Sequence, residues 1–197
     1  AFGDFTPTLK MGGYTEYRTR EYNTRLFIYS WKNGLPSNYR VMNVPDELMQ
    51  DKNYGEDKLY LLEQVDWRNN YEGNNMLGAG YAGVNLPFGK WNIYAGVRFE
   101  HSRMELISNT QKNEKSPTSV YYTYDDFFPS LNAAYRLNEQ HQFRLSYGRT
   151  VNRPEFREVS SSVYYDFDLA SNVQGNYDLK AAYIDNIDLG YEYYPSN

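Results

Sequence analysis

The sequence predicts an all-β protein: a segment of an antiparallel transmembrane β-barrel, about six strands in three hairpins, with long extracellular loops and short periplasmic turns. Three observations carry that expectation. The chain has 22 tyrosines and no cysteine in 197 residues. Tyrosine joins an apolar ring to a polar tip and suits a boundary between oil and water. Polar and apolar residues alternate with period two, which gives a sheet whose faces meet different solvents. The connections alternate between long and short, whereas a soluble sandwich has no reason to sort its turns by end.

The elements follow in order. Lys10-Met11-Gly12-Gly13-Tyr14 opens a first strand expected to continue to Trp31. Residues 32–70 are polar and far exceed an ordinary connection of about 4–6 residues. Within them, Val44–Met49 and Lys58–Glu63 read as short helical turns. The second strand is predicted over Tyr71–Leu86 and closes at the turn Pro87-Phe88-Gly89-Lys90. The third runs from Trp91 to Leu106, ahead of a polar loop with Lys112, Asn113, Glu114, Lys115, Ser116 and Pro117. The fourth, Phe128–Leu137, ends in the tight Asn138-Glu139-Gln140 connection. The fifth, His141–Val151, opens a third long loop, and the sixth is Tyr183–Tyr194.

Parity assigns the faces. Ile93, Ala95, Val97 and Phe99 oppose Asn92, Tyr94, Gly96, Arg98 and Glu100; Leu131, Ala133 and Tyr135 oppose Asn132, Ala134 and Arg136. Phe143, Leu145 and Tyr147 oppose Arg144, Ser146 and Gly148, and Ile187, Leu189 and Tyr191 oppose Asn186, Asp188 and Glu192. The apolar sets are assigned to lipid and the charged sets to a water-filled lumen. On the second strand two sets compete for the lipid side: Met76, Gly78, Gly80, Ala82, Val84 and Leu86 against Leu77, Ala79, Tyr81 and Gly83.

Composition narrows the function. Mean hydropathy is −0.80, and no run approaches the roughly 18 apolar residues of a membrane helix. A net charge of −5 argues against a nucleic-acid partner, which needs a basic face. The absence of cysteine removes disulfide scaffolds and thiolate metal sites. A signal peptide is expected upstream of Ala1 or already removed. Six strands are fewer than the about 8 of the smallest single-chain barrel, and an open edge in lipid leaves backbone groups unpaired at several kcal/mol each. Residues 1–197 are therefore expected to be a partial barrel domain of a larger protein, in preference to one subunit of a multi-chain barrel.

Several motifs resemble TonB-dependent outer-membrane receptors of the Bacteroidetes type. They are Phe127-Phe128-Pro129-Ser130-Leu131-Asn132, the run from Tyr147 through Arg153-Pro154-Glu155-Phe156, and Gly175-Asn176-Tyr177-Asp178-Leu179 followed by Asn186–Tyr194. Gly96-Val97-Arg98-Phe99-Glu100 and Arg20-Glu21-Tyr22-Asn23-Thr24-Arg25 fit the same pattern. The chain departs from it at Tyr177 and near Ala181, where the family usually has proline. The resemblance implies a barrel of about 22 strands plugged by an N-terminal domain, located in the cell outer membrane, importing a scarce siderophore, oligosaccharide or peptide with energy from the inner membrane. It implies as partners outer-membrane lipid, the remaining barrel and plug of the parent chain, the TonB complex acting through that plug, a small-molecule, glycan or peptide ligand, and a surface lipoprotein.

The candidate ligand-binding residues are Arg98, Glu100, Arg136, Arg144 and Arg153 with Tyr122, Tyr124, Tyr164 and Tyr165. Each has a plainer reading. Arg153-Pro154 suits a loop start, since proline pre-sets the turn. The clustered tyrosines suit a membrane-interface belt better than a ligand stack. Asp125-Asp126 and Asp166-Phe167-Asp168 are read as solvated acids in preference to calcium ligands, because two pairs do not make a coordination sphere. No cofactor, metal or catalytic residue is assigned: His101 and His141 are placed at opposite ends of their strands, and no catalytic motif is present. A barrel hydrolase using a lumen carboxylate such as Glu100 is the weakest alternative. The stronger one is a soluble β-sandwich, a lectin-like binding module without transport.

Overall fold

The computed structural model describes residues 5–32, 49–55 and 57–195. In chain order the strands are β1 (Thr8–Tyr22), β2 (Leu26–Trp31), β3 (Leu59–Gln64), β4 (Tyr71–Phe88), β5 (Trp91–Asn109), β6 (Pro117–Arg136), β7 (His141–Asn152), β8 (Val163–Asp166), β9 (Ser171–Gln174) and β10 (Ala182–Tyr193). Six of them form one sheet in the order β1-β4-β5-β6-β7-β10, with every pair antiparallel. Two separate hairpins, β2-β3 and β8-β9, decorate it. The turns at Gly89-Lys90 and 137–140 share one rim. The connections that open at Asn23, Thr110 and Arg153 leave from the other. Gly89 has φ +57, a left-handed conformation that a two-residue hairpin turn uses and glycine adopts without strain.

Several expectations are corrected. The first strand does not run to Trp31. Its partner β4 begins at Tyr71, opposite Tyr22, so the ladder ends there. Past Asn23 the chain takes a new partner, pairing Leu26–Trp31 with Leu59–Gln64. Lys58–Glu63 is therefore largely strand and not helical turn, since Leu-Tyr-Leu-Leu fits either period and the β2 edge decides it. Of Val44–Met49, all but Met49 lies outside the described residues. The fourth strand starts at Pro117 rather than Phe128, at the first strand position, where a missing N–H is tolerated. The supposed loop is thus a long hairpin whose tip is only 110–116, laced by Ser116 Oγ accepting from Thr110 N and Gln111 N at 3.1 and 2.8 Å.

Register settles the second strand. Ala82, Val84 and Leu86 lie opposite Val97, Ala95 and Ile93, so the even-numbered set shares the apolar face. Leu77, Ala79 and Tyr81 join Ser102, Glu100 and Arg98 on the other. Among the described residues no second layer covers the apolar face: Leu189 is 80% and Ile187 72% exposed. A sandwich core would be sealed there.

Height along the strands adds a second division. At the short-turn rim the apolar face carries an aromatic row, with Trp91 on Tyr135 (centroids 4.6 Å apart) and Phe143 on Tyr191 (5.2 Å). A second aromatic contact, Phe99 with Phe127 at 5.0 Å, sits eight residues further along β5. At a strand rise of about 3.3 Å and a tilt near 40°, the rows are roughly 20 Å apart, close to the apolar band of a transmembrane barrel. Between them the face is aliphatic: Ile93, Ala95, Val97, Leu131 and Ala133. Beyond Phe99 it turns polar, with His101, Arg103 and Asp125 exposed. The opposite face inverts in step: past Glu100 come Ser102, Met104 and Leu106, all buried. The main apolar core of the described chain lies up here, where Tyr71, Met104, Leu106, Phe156 and Val159 pack together.

Candidate functional site

The site is built where the charged face meets the outer rim. Glu100 and Asp126 are cross-strand neighbours on β5 and β6 and point to the same side. Between Ser130↔Gly148 and the rim, β6 no longer pairs with β7, which continues with β10 alone. Pairing stops beside Pro129, a residue with no N–H to donate. Arg153, the first residue after β7, reaches across this fork. One terminal nitrogen donates to Glu100 Oε2 at 2.7 Å and the other to Asp126 Oδ2 at 2.8 Å. Arg98 Nε donates to the second Glu100 oxygen at 2.6 Å, and the Tyr183 hydroxyl donates to Asp126 Oδ1 at 2.7 Å. The Arg153 guanidinium also lies 5.7 Å from the Tyr124 ring centroid and 5.9 Å from that of Phe128.

The carboxylates are nearly buried, with side-chain exposures of 12% for Glu100 and 10% for Asp126. Desolvated charges persist only when paired and hydrogen-bonded. Here each carboxylate oxygen accepts a hydrogen bond. The planar fork of arginine matches two carboxylates at once, which a lysine ammonium does not.

Behind Arg153 the excursion folds inward. Phe156 enters the core beside Gly73, where any Cβ would collide with its ring. Ser160 and Ser162 are fully buried and hydrogen-bond each other at 2.8 Å. Ser161 Oγ donates to Arg68 O, and Val163 N donates to Asn69 Oδ1, at 3.0 Å each. Trp67 N in turn donates to Lys112 O at 2.9 Å, linking residues 66–69 to the β5-β6 tip. Arg68 hydrogen-bonds Asp66 and holds its carboxyl below the usual carboxylate range. Gly175 lies against the carbonyls of Arg157, Glu158 and Ser160, where a side chain has no room, and Asn176 N donates to Glu158 O at 2.6 Å. Residues 66–69 and 153–181 thus form a folded roof over the charged face.

The predicted site residues divide into three groups. Arg98, Glu100, Arg153 and Tyr124 come together, joined by Asp126 and Tyr183. In the sequence Asp126 stands out only as half of an acidic pair, and period two is the signal that separates the two: Asp125 turns to the opposite face and meets His101 at 2.7 Å. Arg144 lies at the short-turn rim, donating to Glu192 at 2.7 Å, and Arg136 sits exposed at that same rim. Tyr122, Tyr164 and Tyr165 belong to the roof. Tyr122 packs on the core and donates to Tyr177 O at 2.9 Å, and burial raises its phenol pKa. Arg157 stacks over Tyr164 at 3.4 Å, and Tyr165 meets Phe167 edge-on. The tyrosines expected to form the interface belt therefore stand above it. Asp166 Oδ1 accepts from the backbone N–H of Asp168 and Leu169, closing a local turn.

An antiparallel sheet with one aliphatic face between two aromatic rows, and a charged opposite face roofed at one rim, defines a transmembrane β-barrel protein. A model of the outer membrane protein beta-barrel family matches residues 42–196. The chain belongs to that family, and its place is the outer membrane. No curated protein and no solved structure matches the chain.

Proposed function

We propose that this chain is an arc of the wall of a TonB-dependent receptor of the Bacteroidetes type, importing a siderophore, oligosaccharide or peptide with energy from the inner membrane. The observation that carries the reading is the roof. Arg153-Pro154-Glu155-Phe156, a run on which the resemblance rests, folds inward over the charged face, with Arg153 on two carboxylates and Phe156 in the core. Such a wall suits a lumen that captures ligand from outside better than an open diffusion pore. The free sides of β1 and β10 are, in this reading, paired with further strands of the parent chain, because unpaired edges are not tolerated in lipid. A plug would fill the lumen, and binding followed by passage, rather than turnover, is the activity.

The parent protein reconstituted in planar bilayers tests this. Little conductance is expected until the N-terminal domain is deleted, and uptake in cells should vanish when TonB is removed. A steady open pore in the intact protein, or uptake indifferent to TonB, would sink the import reading.

A further inference from the structure

Among the described residues, β6 is the interior strand of the main sheet with a long open side. It pairs with β5 from Pro117 to Arg136, but with β7 only from Ser130 to Arg136. Arg136 N donates to Lys90 O and Leu137 N to His141 O. Even-numbered residues of β6 therefore turn their backbone groups to β5, and odd-numbered ones turn theirs to β7. Above Pro129 the N–H and C=O groups of Ser119, Tyr121, Thr123, Asp125 and Phe127 meet no second strand among the described residues. Phe127 belongs to the upper aromatic row, so the open side begins there and rises out of the lipid zone.

Natural sheets blunt such edges with lysine, proline or a bulge. Between Pro117 and Pro129 the sequence is Thr-Ser-Val-Tyr-Tyr-Thr-Tyr-Asp-Asp-Phe-Phe, with none of these and an unbroken register on β5. Most of these residues favour strands. Both acids are already engaged, Asp126 by Arg153 and Asp125 by His101.

We propose that the open side of β6 takes up an extended segment of another protein as an added strand. Its donor–acceptor pairs repeat roughly every 7 Å, two residues at about 3.4 Å each, and an extended backbone matches that repeat. The groups face along the wall into the fork before β7, so a rigid second barrel cannot reach them, whereas a loop or tail can thread in. Tyr121 and Phe127 on the outer face, with Tyr122 and Tyr124 on the inner, give the incoming side chains aromatic neighbours on both sides. The segment that fits is rich in β-branched and aromatic residues and lacks proline. This contact does not depend on the import reading.

The full-length protein in nanodiscs tests it, with a synthetic peptide of alternating threonine and valine as probe. Methylating alternate backbone nitrogens of the peptide, on the edge that pairs, should weaken binding roughly tenfold or more. Residue-resolved amide exchange should slow at 119, 121, 123, 125 and 127 and stay unchanged at the even positions already bonded to β5. Thr123→Pro removes an open N–H and none that β5 uses, and should weaken the peptide about five- to tenfold with heat-modifiable gel migration unchanged. No binding, equal binding of the methylated peptide, or protection confined to even positions overturns the proposal. Odd amides already slow in the free protein would show that its own chain covers the edge. Slowing that tracks protein concentration would assign the edge to a second copy. TonB-dependent loss of the probe into cells would assign it to the uptake path. Each of these three also overturns the proposal.

Discussion

Below the Phe99/Phe127 level and above it, the same strands β4, β5 and β6 solve opposite problems. Below, Ile93, Val97 and Leu131 turn outward while Arg98 and Asn132 turn inward, because the oil lies outside. Above, His101, Arg103 and Asp125 face outward, while Met104 and Leu106 are buried against Phe156 and Val159. Alternation continues unbroken through the crossing, and only the meaning of its parity reverses. Period two therefore reports a two-faced sheet but not which solvent each face meets, which depends on height.

Substitutions can break this comparison at graded cost. The largest effect is expected for Arg153→Met, which leaves two nearly buried carboxylates without their shared cation. By the behaviour of buried ion pairs it should open the roof by about 3–5 kcal/mol, read as faster hydrogen exchange across 153–181 with the sheet unchanged. Unaltered exchange there would show that the lattice does not hold the roof. Next, Leu106→Ala should cost about 2–5 kcal/mol by cavity formation and loosen the same roof without impairing membrane insertion. Val97→Arg should do the converse, damaging assembly by about 2–4 kcal/mol. Arginine at His101, four residues along the same face, should be nearly silent, as should arginine at Asn186 or Ser146 on the charged face. Equal damage at Val97 and His101, measured by urea titration of folding into vesicles, would move the membrane boundary. A smaller cost, about 1–3 kcal/mol, is expected for Gly175→Ala, whose methyl group has no room against three carbonyls. The smallest is Arg25→Gln on the exposed β2-β3 hairpin, for which no change in denaturation midpoint is expected.

Much of the fold could be read from residue order, and the misreadings share a cause. The main strands, their short turns and the lipid-side parity of the third, fourth, fifth and sixth strands followed from alternation and turn chemistry. The break at Asn23, the strand at Leu59–Gln64 and the start of β6 at Pro117 did not, because each depends on where a partner strand begins or ends. For the site, alternation marks Arg98 and Glu100 as lumen-facing charges, and Arg153 reads as the start of a loop. Their convergence is not legible there, since Arg153 is 53 residues from Glu100 and 27 from Asp126. Tyr122, Tyr164 and Tyr165 suit a belt in the sequence because a tyrosine beside a strand end looks the same whether lipid or folded loop covers it.

From the order of residues alone come the antiparallel sheet, its two unlike faces and the sorting of long and short connections, since period two and turn composition are local properties. Tertiary structure decided where the greasy surface ends, that residues 153–181 fold into a roof, and that one guanidinium links two strands and a loop. Those outcomes depend on contacts between residues far apart in the chain, and burial is a property of the assembled sheet and loops rather than of any segment.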